Sequence, residues 1–299
     1  MTKFNTLISV IIIGVAVAFA PPMAVAHSKD KPHKHKHKKQ RQVVDNINSR
    51  SGSTAVLYDM TSNKIIFGQN PTKVRPIASI TKLMTAMVVI DVVDNFNDIV
   101  IISPADVDVI RHSSSKLQVG TTLTKRDLFV LSLSASENRA AHALARSSPG
   151  GVDAFVGLMN AKAKSLGMNQ THYVDPTGLG EGNTSTANDL IKLVTAVNQI
   201  ELISASSTVA KGEVIDPITL KVIPFRNTNA FIRNGTMPIN VSKTGFINPA
   251  GFCVVMVSQS KDHNVAMIVL GAPSSPSRIK DLWRLNSLIP PNKDSNGNQ

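Results

Sequence analysis

The stretch Ala78-Ser79-Ile80-Thr81-Lys82-Leu83-Met84 opens an apolar segment that runs to Val93 and reads as a buried helix. Ser79 and Lys82 stand three residues apart, so on a helix they share a face, about one turn from each other. A serine hydroxyl is a poor nucleophile at neutral pH, and an adjacent amine that can take its proton makes it a useful one. Pro76 fixes the entry of the chain. A helix N-terminus there offers free backbone N–H groups near Ser79. Alone, the pair says little, because Ser-x-x-Lys occurs five times, at Ser28, Ser79, Ser113, Ser258 and Ser277.

The pattern on either side separates these matches. Thr54 to Met60 and Lys64 to Gln69 read as strands, with Thr61-Ser62-Asn63 as the turn of a hairpin. Asp98 to Ser103 is a short strand or extended link. Helical periodicity follows at Thr124 to Leu133, Asn138 to Arg146, Val152 to Leu166 and Thr186 to Ile200. The loop between the last two carries Asp175-Pro176-Thr177-Gly178. From Gly212 the pattern turns to strands: Glu213 to Ile223, Val241 to Gly245, Gly251 to Gln259 and Asn264 to Gly271. Turns fall at Asn248-Pro249 and Lys261-Asp262, and a last helix spans Pro276 to Leu288. Strands at both chain ends and helices in the middle define an α/β (α+β) fold. One antiparallel sheet is built from both ends, with a helical subdomain inserted. Ser79 alone among the five serines heads a long buried helix.

The ends of the chain read differently. Lys3, an apolar run from Leu7 to Ala20 and the small-x-small site Ala24-Val25-Ala26 make residues 1–26 a secretory signal peptide. An uncleaved anchor is the rival, but a run of about 14 residues is short of the roughly 20 that span a bilayer. Residues 27–44 are a basic, His/Lys-rich segment whose main part, His27 to Arg41, has no aliphatic residue to bury, so a disordered tail is expected. Within it, His27 to Arg41 has six lysines and one arginine against one aspartate, half of the net charge of +12. It suits an anionic membrane or wall surface, and its alternating His-Lys pattern suits a transition metal. Nucleic acid is not expected as a partner of an exported chain. The domain is placed at 45–289 and a polar tail at 290–299. Cys253 is the one cysteine, so no internal disulfide forms and the apolar run around it reads as a buried strand.

Two further motifs follow Ser79 in order. Ser136-Glu137-Asn138 sits between two helices, and Lys243-Thr244-Gly245 on a late strand; each occurs once. Ser136 and Asn138 can also cap the following helix, and Lys243 can be a solvated edge lysine. The ordered triple resembles the serine penicillin-binding proteins and β-lactamases. Ala78 to Val88, Ser136 to Ala141, and Phe155 to Leu166 with Val174 to Leu179 are similar to D-alanyl-D-alanine endopeptidases of that family. The resemblance covers roughly 45–289.

The resemblance implies a periplasmic enzyme that cuts D,D-peptide cross-links in peptidoglycan and is acylated by β-lactam antibiotics. Ser79 would be the nucleophile and Lys82 its base, with a pKa lowered by burial and by Lys243 as a second cation. Ser136 would relay a proton, and Asn138 would hold the substrate amide. Lys243 and Thr244 would receive a carboxylate, and Gly245 would let backbone approach the ligand. The oxyanion hole would use the backbone N–H of Ser79 and of Phe246, donors worth about 3 kcal/mol each.

Departures from the family narrow this expectation. A class A β-lactamase uses a glutamate in a Glu-x-x-x-Asn pattern to activate the deacylating water. Glu181, Glu201 and Glu213 have Ser185, Ala205 and Pro217 four residues on, so slow β-lactam release is expected. The chain stops soon after its last helix, without the C-terminal β-domain and amphipathic anchor of many carboxypeptidase relatives. That agrees with an endopeptidase, the reading carried first, although carboxypeptidase uses the same chemistry on a different acceptor. Carboxypeptidase is the alternative, ahead of β-lactamase or a non-catalytic wall-binding protein. Glu137 fills a position often held by glycine in carboxypeptidases, where a carboxylate can touch the substrate's amine-bearing side chain. No cofactor or metal is expected: His112, His142, His172 and His263 lack ligand spacing, and Gly-x-Ser-x-Gly is absent.

Overall fold

Residues 52–260 and 263–290 are described by the structure, a computed structural model. The signal peptide, the basic segment, the domain start at 45, the Lys261-Asp262 turn and the tail from 291 lie outside these residues.

Strands β1 (Thr54–Asp59) and β2 (Lys64–Gln69) form the expected hairpin. Asp59 turns the chain, its Oδ1 accepting from the N–H of Thr61 and of Ser62. The short β3 (Arg75–Pro76) leads into a 3-10 turn at Ala78–Thr81 and helix α1 (Lys82–Val92). Next, β4 (Ile99–Ile101) pairs with β5 (Thr122–Thr124), and α2 (Lys125–Val130) starts at an N-cap Thr124 that accepts from Asp127 N–H. A π-helical segment at Leu131–Ala135 joins it to α3 (Asn138–Arg146), and α4 (Gly151–Ser165) follows. Strand β6 (Thr184–Ser185) pairs with β3 and precedes α5 (Ala187–Val197) and α6 (Glu201–Thr208). The hairpin β7 (Lys211–Ile215) and β8 (Val222–Arg226), the short α7 (Ala230–Arg233), then β9 (Ile239–Ile247), β10 (Gly251–Ser260), β11 (His263–Ala272) and α8 (Ser275–Ser287) complete the fold.

Five strands make the main antiparallel sheet in the order β2-β1-β11-β10-β9. The two chain ends meet where β1 pairs with β11, Thr54 opposite Leu270. Side chains alternate between the faces. Val56, Val255 and Ile268 join the core under the helices, while Leu57, Val254 and Met267 pack with Leu282 and Leu285 of α8. Helix α1 lies inside the first core, buried without interruption from Lys82 to Val89. A helix apolar all round is stable only in such a place.

Two expectations are corrected and one helix is added. Glu213 to Ile223 is not one strand but the β7–β8 hairpin. Asp216 makes the turn, its Oδ1 accepting from the N–H of Ile218 and of Thr219 while Oδ2 accepts from Thr122 N–H. Helix α6 was not foreseen, because its serine-rich sequence has weak propensity. Burial of Ile203 against the core holds it, and Ser207 Oγ accepts from the Ser242 N–H of β9. The cap of α3 is Glu137, which accepts from Arg139 N–H, and neither Ser136 nor Asn138.

The loop after β4 is tied to α3 by Asp106. Its carboxylate meets His142 Nδ1 at 2.8 Å and two Arg146 nitrogens at 2.9 Å, and it also accepts from Ser103 N–H. Burial alone would raise this carboxyl, but the hydrogen bonds from His142 and Arg146 outweigh it and hold it well below the usual carboxylate range. Its stabilising contribution is therefore complete above the unfolded value of about 3.9 and is lost as pH falls toward the depressed folded value. Asp106→Ala should lower urea-unfolding stability at pH 7 by about 3 kcal/mol, and the difference from the parent should shrink as the pH is taken below about 4.

Candidate active site

Local strain sets the position of Ser79. Ala78, just before it, has a left-handed φ of 49°, a conformation that costs a residue with a side chain about 1–3 kcal/mol. Thr81 Oγ1 donates to the Ala78 carbonyl at 2.8 Å and holds the turn. Gly178 presses on it from outside. A Cβ added there would lie 2.0 Å from the Ala78 oxygen and 2.8 Å from Ser79 N, and its φ of 85° already excludes most side chains. On the other side, a Cβ on Gly245 would lie 2.9 Å from Ser79 N. Two glycines thus let two backbones close on the serine turn, and only the second was singled out from sequence.

Lys82 is fully buried. Its Nζ donates to Ser79 Oγ at 3.0 Å, to Asn138 Oδ1 at 2.7 Å and to the Thr177 carbonyl at 2.7 Å. An ammonium has three protons, and three oxygens meet them. A neutral amine keeps two protons. A carbonyl and an amide oxygen can only accept, so those two protons go to Thr177 and Asn138. The lone pair is left facing the one partner that can donate, the Ser79 hydroxyl. The geometry therefore suits proton removal from Ser79.

Burial pushes the Lys82 amine down to about 7, against the upward pull of the Asp175, Glu137 and Asp108 carboxylates. Lys243 is also buried and is pushed well below its ordinary value, first by burial and then by repulsion from Lys82 and Arg278. Burial, expected for Lys82 from the sequence, is the leading cause for both amines, and the two amines repel each other as well. Glu137, expected to face substrate, caps α3 and adds to the field that keeps Lys82 from falling further.

The Asp175-Pro176-Thr177-Gly178 loop builds the far wall. Asp175 Oδ1 accepts from the N–H of Thr177 and of Gly178, Oδ2 from Gly180 N–H, and Asn183 Nδ2 donates to it as well. Thr85 of α1 donates to the Pro176 carbonyl at 2.6 Å. The Thr177 carbonyl is thereby aimed at Lys82. A role for Thr177 was missed from sequence, although the Asp-Pro-Thr-Gly turn was visible.

Of the sequence candidates, Ser79, Asn138 and Phe246 line a cleft of about 350 Å³, together with Arg111 and Ser113 among others. Lys243 Nζ donates to the Thr244 carbonyl at 3.0 Å, and Thr244 Oγ1 donates to Thr228 Oγ1 at 2.6 Å. Phe246 is half exposed and packs on Phe252 with ring centroids 4.3 Å apart. Ser136 stands at the end of the π-helical segment with a left-handed φ of 60°. Its hydroxyl makes no hydrogen bond among the described residues. Ser79, Lys82 and Asn138 are thus one bonded group, Lys243 to Phe246 form its strand wall, and Ser136 stands beside it unengaged. His142 lies outside this group, in the Asp106 cluster.

This fold is that of serine D,D-peptidases of the penicillin-binding type. A mutant of the Streptomyces K15 DD-transpeptidase superposes with a TM-score of 0.73 at 26% identity, over 79% of this chain and 96% of that one. Penicillin-binding protein D2 of Listeria monocytogenes, in its ampicillin-bound form, gives 0.68 at 28% identity over 79% and 95%. The D-alanyl-D-alanine endopeptidase of Pseudomonas aeruginosa is 43% identical over 235 residues, 79% of this chain and 76% of that protein. Residues 37–274 match the peptidase S11 family, described as D-alanyl-D-alanine carboxypeptidase, and the chain belongs to that family.

Gly178→Ala should destabilise the protein by more than about 2 kcal/mol, because its Cβ meets backbone that cannot yield. Gly157→Ala in α4, with nothing within 4 Å of the new Cβ, should instead gain up to about 1 kcal/mol. Thermal unfolding of the pair checks both signs.

Proposed function

We propose that this chain is an exported D-alanyl-D-alanine endopeptidase that cleaves D,D cross-links of peptidoglycan through an acyl-enzyme on Ser79. The observation that carries the reading is the Lys82 amine, buried, lowered to about 7 and bonded to Ser79 Oγ. Ser79 Oγ attacks the D-alanyl carbonyl carbon as its proton passes to Lys82. The oxyanion is met by the backbone N–H of Ser79 and of Phe246. The peptide C–N bond then breaks, and the leaving amine takes a proton relayed from Lys82 through Ser136. Water hydrolyses the ester and frees Ser79. Asn138 holds the substrate amide, and Lys243 and Thr244 receive its carboxylate beside Gly245. No cofactor takes part.

The same serine takes β-lactams. Among the described residues no carboxylate is hydrogen-bonded to Ser79 or Lys82, which supports slow release of the acyl group and disfavours β-lactamase activity. The 43% identity to an endopeptidase supports that choice of bond. The carboxypeptidase description of the family keeps carboxypeptidase as the second reading, since both use one chemistry on different leaving groups. The intact serine–lysine pair disfavours a silent wall-binding protein.

No helix among the described residues is long and apolar enough to cross a membrane. The reading places the mature protein in the periplasm, with a cleaved signal peptide at 1–26 and a basic tail at 27–44 leaning on anionic membrane or wall. The catalytic domain at 45–289 precedes a polar tail at 290–299.

Fluorescent penicillin should label the protein and fail to label Ser79→Ala. The rate of labelling should rise with pH to a plateau, with its midpoint near the Lys82 value of about 7, because only the neutral amine accepts a proton. Digestion of purified sacculi should turn cross-linked dimers into monomers. Release of free D-alanine with dimers intact would replace the endopeptidase reading by carboxypeptidase.

A further inference from the structure

We propose that the β7–β8 hairpin is a membrane-docking element: its apolar tip enters the interface of an anionic phospholipid bilayer, and the cations at its base meet the lipid phosphates. The proposal concerns the outer face of the domain and stands apart from the acyl-enzyme chemistry.

The two faces of the hairpin differ. Residues directly opposite each other in the ladder share a face. Val214 stands opposite Ile223 and Gly212 opposite Phe225, and Val214, Ile223 and Phe225 are buried in the core under the helices. The other face holds Lys211 opposite Arg226, Glu213 opposite Pro224 and Ile215 opposite Val222, all exposed. Beyond them the turn presents Ile218 and Leu220, 75% and 74% exposed. The outer face thus runs from two cations at the base to aliphatic side chains at the tip.

Three features of this face cost stability in water. Ile215, Val222, Ile218 and Leu220 are exposed within one turn and the rungs beside it. Clustered exposed apolar residues mark a contact site, whereas single scattered ones do not. Leu220 has a left-handed φ of 56°. Such a place in a hairpin turn suits Gly or Asn, and a bulky side chain there is strained. Lys211 and Arg226 stand directly opposite each other, and like charges so placed repel. The neighbouring cations have neutral partners: Lys221 reaches Gln118 Oε1 at 3.4 Å, and Lys116 donates to the Pro224 carbonyl at 2.8 Å. Glu213 is the one exposed carboxylate of the hairpin, since Asp216 is buried. An anionic surface with an apolar layer beneath it relieves all three costs.

The tip is held in shape before it docks. Asp216 accepts from the N–H of Ile218, of Thr219 and of Thr122. Leu220 N–H donates to the Asp216 carbonyl at 2.8 Å, and Asp216 N–H to the Lys221 carbonyl at 3.0 Å. A turn so tied loses little freedom on binding.

A bilayer fits the order of these residues. Ile215 and Val222 lie four residues from Lys211 and Arg226, about 13 Å along the ladder. An interfacial element buries its apolar side chains about 5–10 Å into the headgroup boundary, which leaves the cations among the headgroups. Each cation near an anionic leaflet adds a modest attraction. A protein partner requires no such order from tip to base. The ladder also leads back to the cleft, because Thr228, two residues past β8, accepts from Thr244 Oγ1 at 2.6 Å. Docking would hold the site within about 25 Å of the membrane.

The test is flotation of the mature chain with vesicles of phosphatidylcholine, alone or mixed with phosphatidylglycerol. The parent should float with the anionic vesicles and stay behind with the neutral ones. Leu220→Asn should weaken binding about tenfold or more. That loss should persist at high salt, which screens the share carried by charge. The same variant should unfold at a higher temperature than the parent, because Asn tolerates a left-handed φ, and fluorescent penicillin should label it as before. Lys211→Gln should weaken binding to anionic vesicles about fivefold. In a Trp283→Phe background, the fluorescence of Ile218→Trp should be quenched by lipids brominated on their acyl chains. A parent that ignores anionic vesicles, Leu220→Asn binding like the parent, or an unquenched tryptophan at 218 would overturn the proposal. Self-association of the parent that Leu220→Asn abolishes, without vesicle binding, would overturn it in favour of a second copy on this face.

Discussion

An amine without water is the constraint on which the rest of this structure depends. Lys82 lies wholly inside the protein, at the head of a helix buried on every side. The fall of its pKa from an ordinary 10.5 to about 7 amounts to roughly 5 kcal/mol in favour of the neutral form. A lone buried ammonium would have fallen further. Three oxygens and three carboxylates at longer range hold it near neutrality, where an amine is most useful as a base. The fold supplies each of them from a different place: Ser79 from the strained turn, Asn138 from the start of α3, Thr177 from the loop after α4.

Close approach is the second requirement. Strand β9 comes against the serine turn at Gly245, and the Asp175 loop comes against it at Gly178. The sheet that carries β9 is completed by β1 from the other end of the domain. The strand that flanks Ser79 therefore belongs to the sheet that joins the two ends of the domain. The helical middle of the chain is held to this frame by α1, which packs between them, and by polar ties such as Asp106 to His142 and Arg146.

Much of this was legible in the sequence because it is written in local chemistry. The β1–β2 hairpin, the helix starts at Thr124 and Thr186 and the apolar run of α1 follow from period and turn residues. Ser79, Lys82, Asn138 and Lys243 stand out by their order along the chain. What was hidden depends on distant contacts. Helix α6 has poor propensity and is held by β9. The β7–β8 turn rests on Asp216 reaching Thr122. Thr177 acts through its carbonyl, which every residue has.

The central claim is that Lys82 is an amine poised near neutrality inside the folded protein. Titration of its side-chain Nζ resonance by NMR, assigned by its loss in Lys82→Arg, measures this directly. A midpoint near 7 is the predicted result. A resonance that stays that of an ammonium up to pH 10 would contradict the account, because no base would then be present for Ser79.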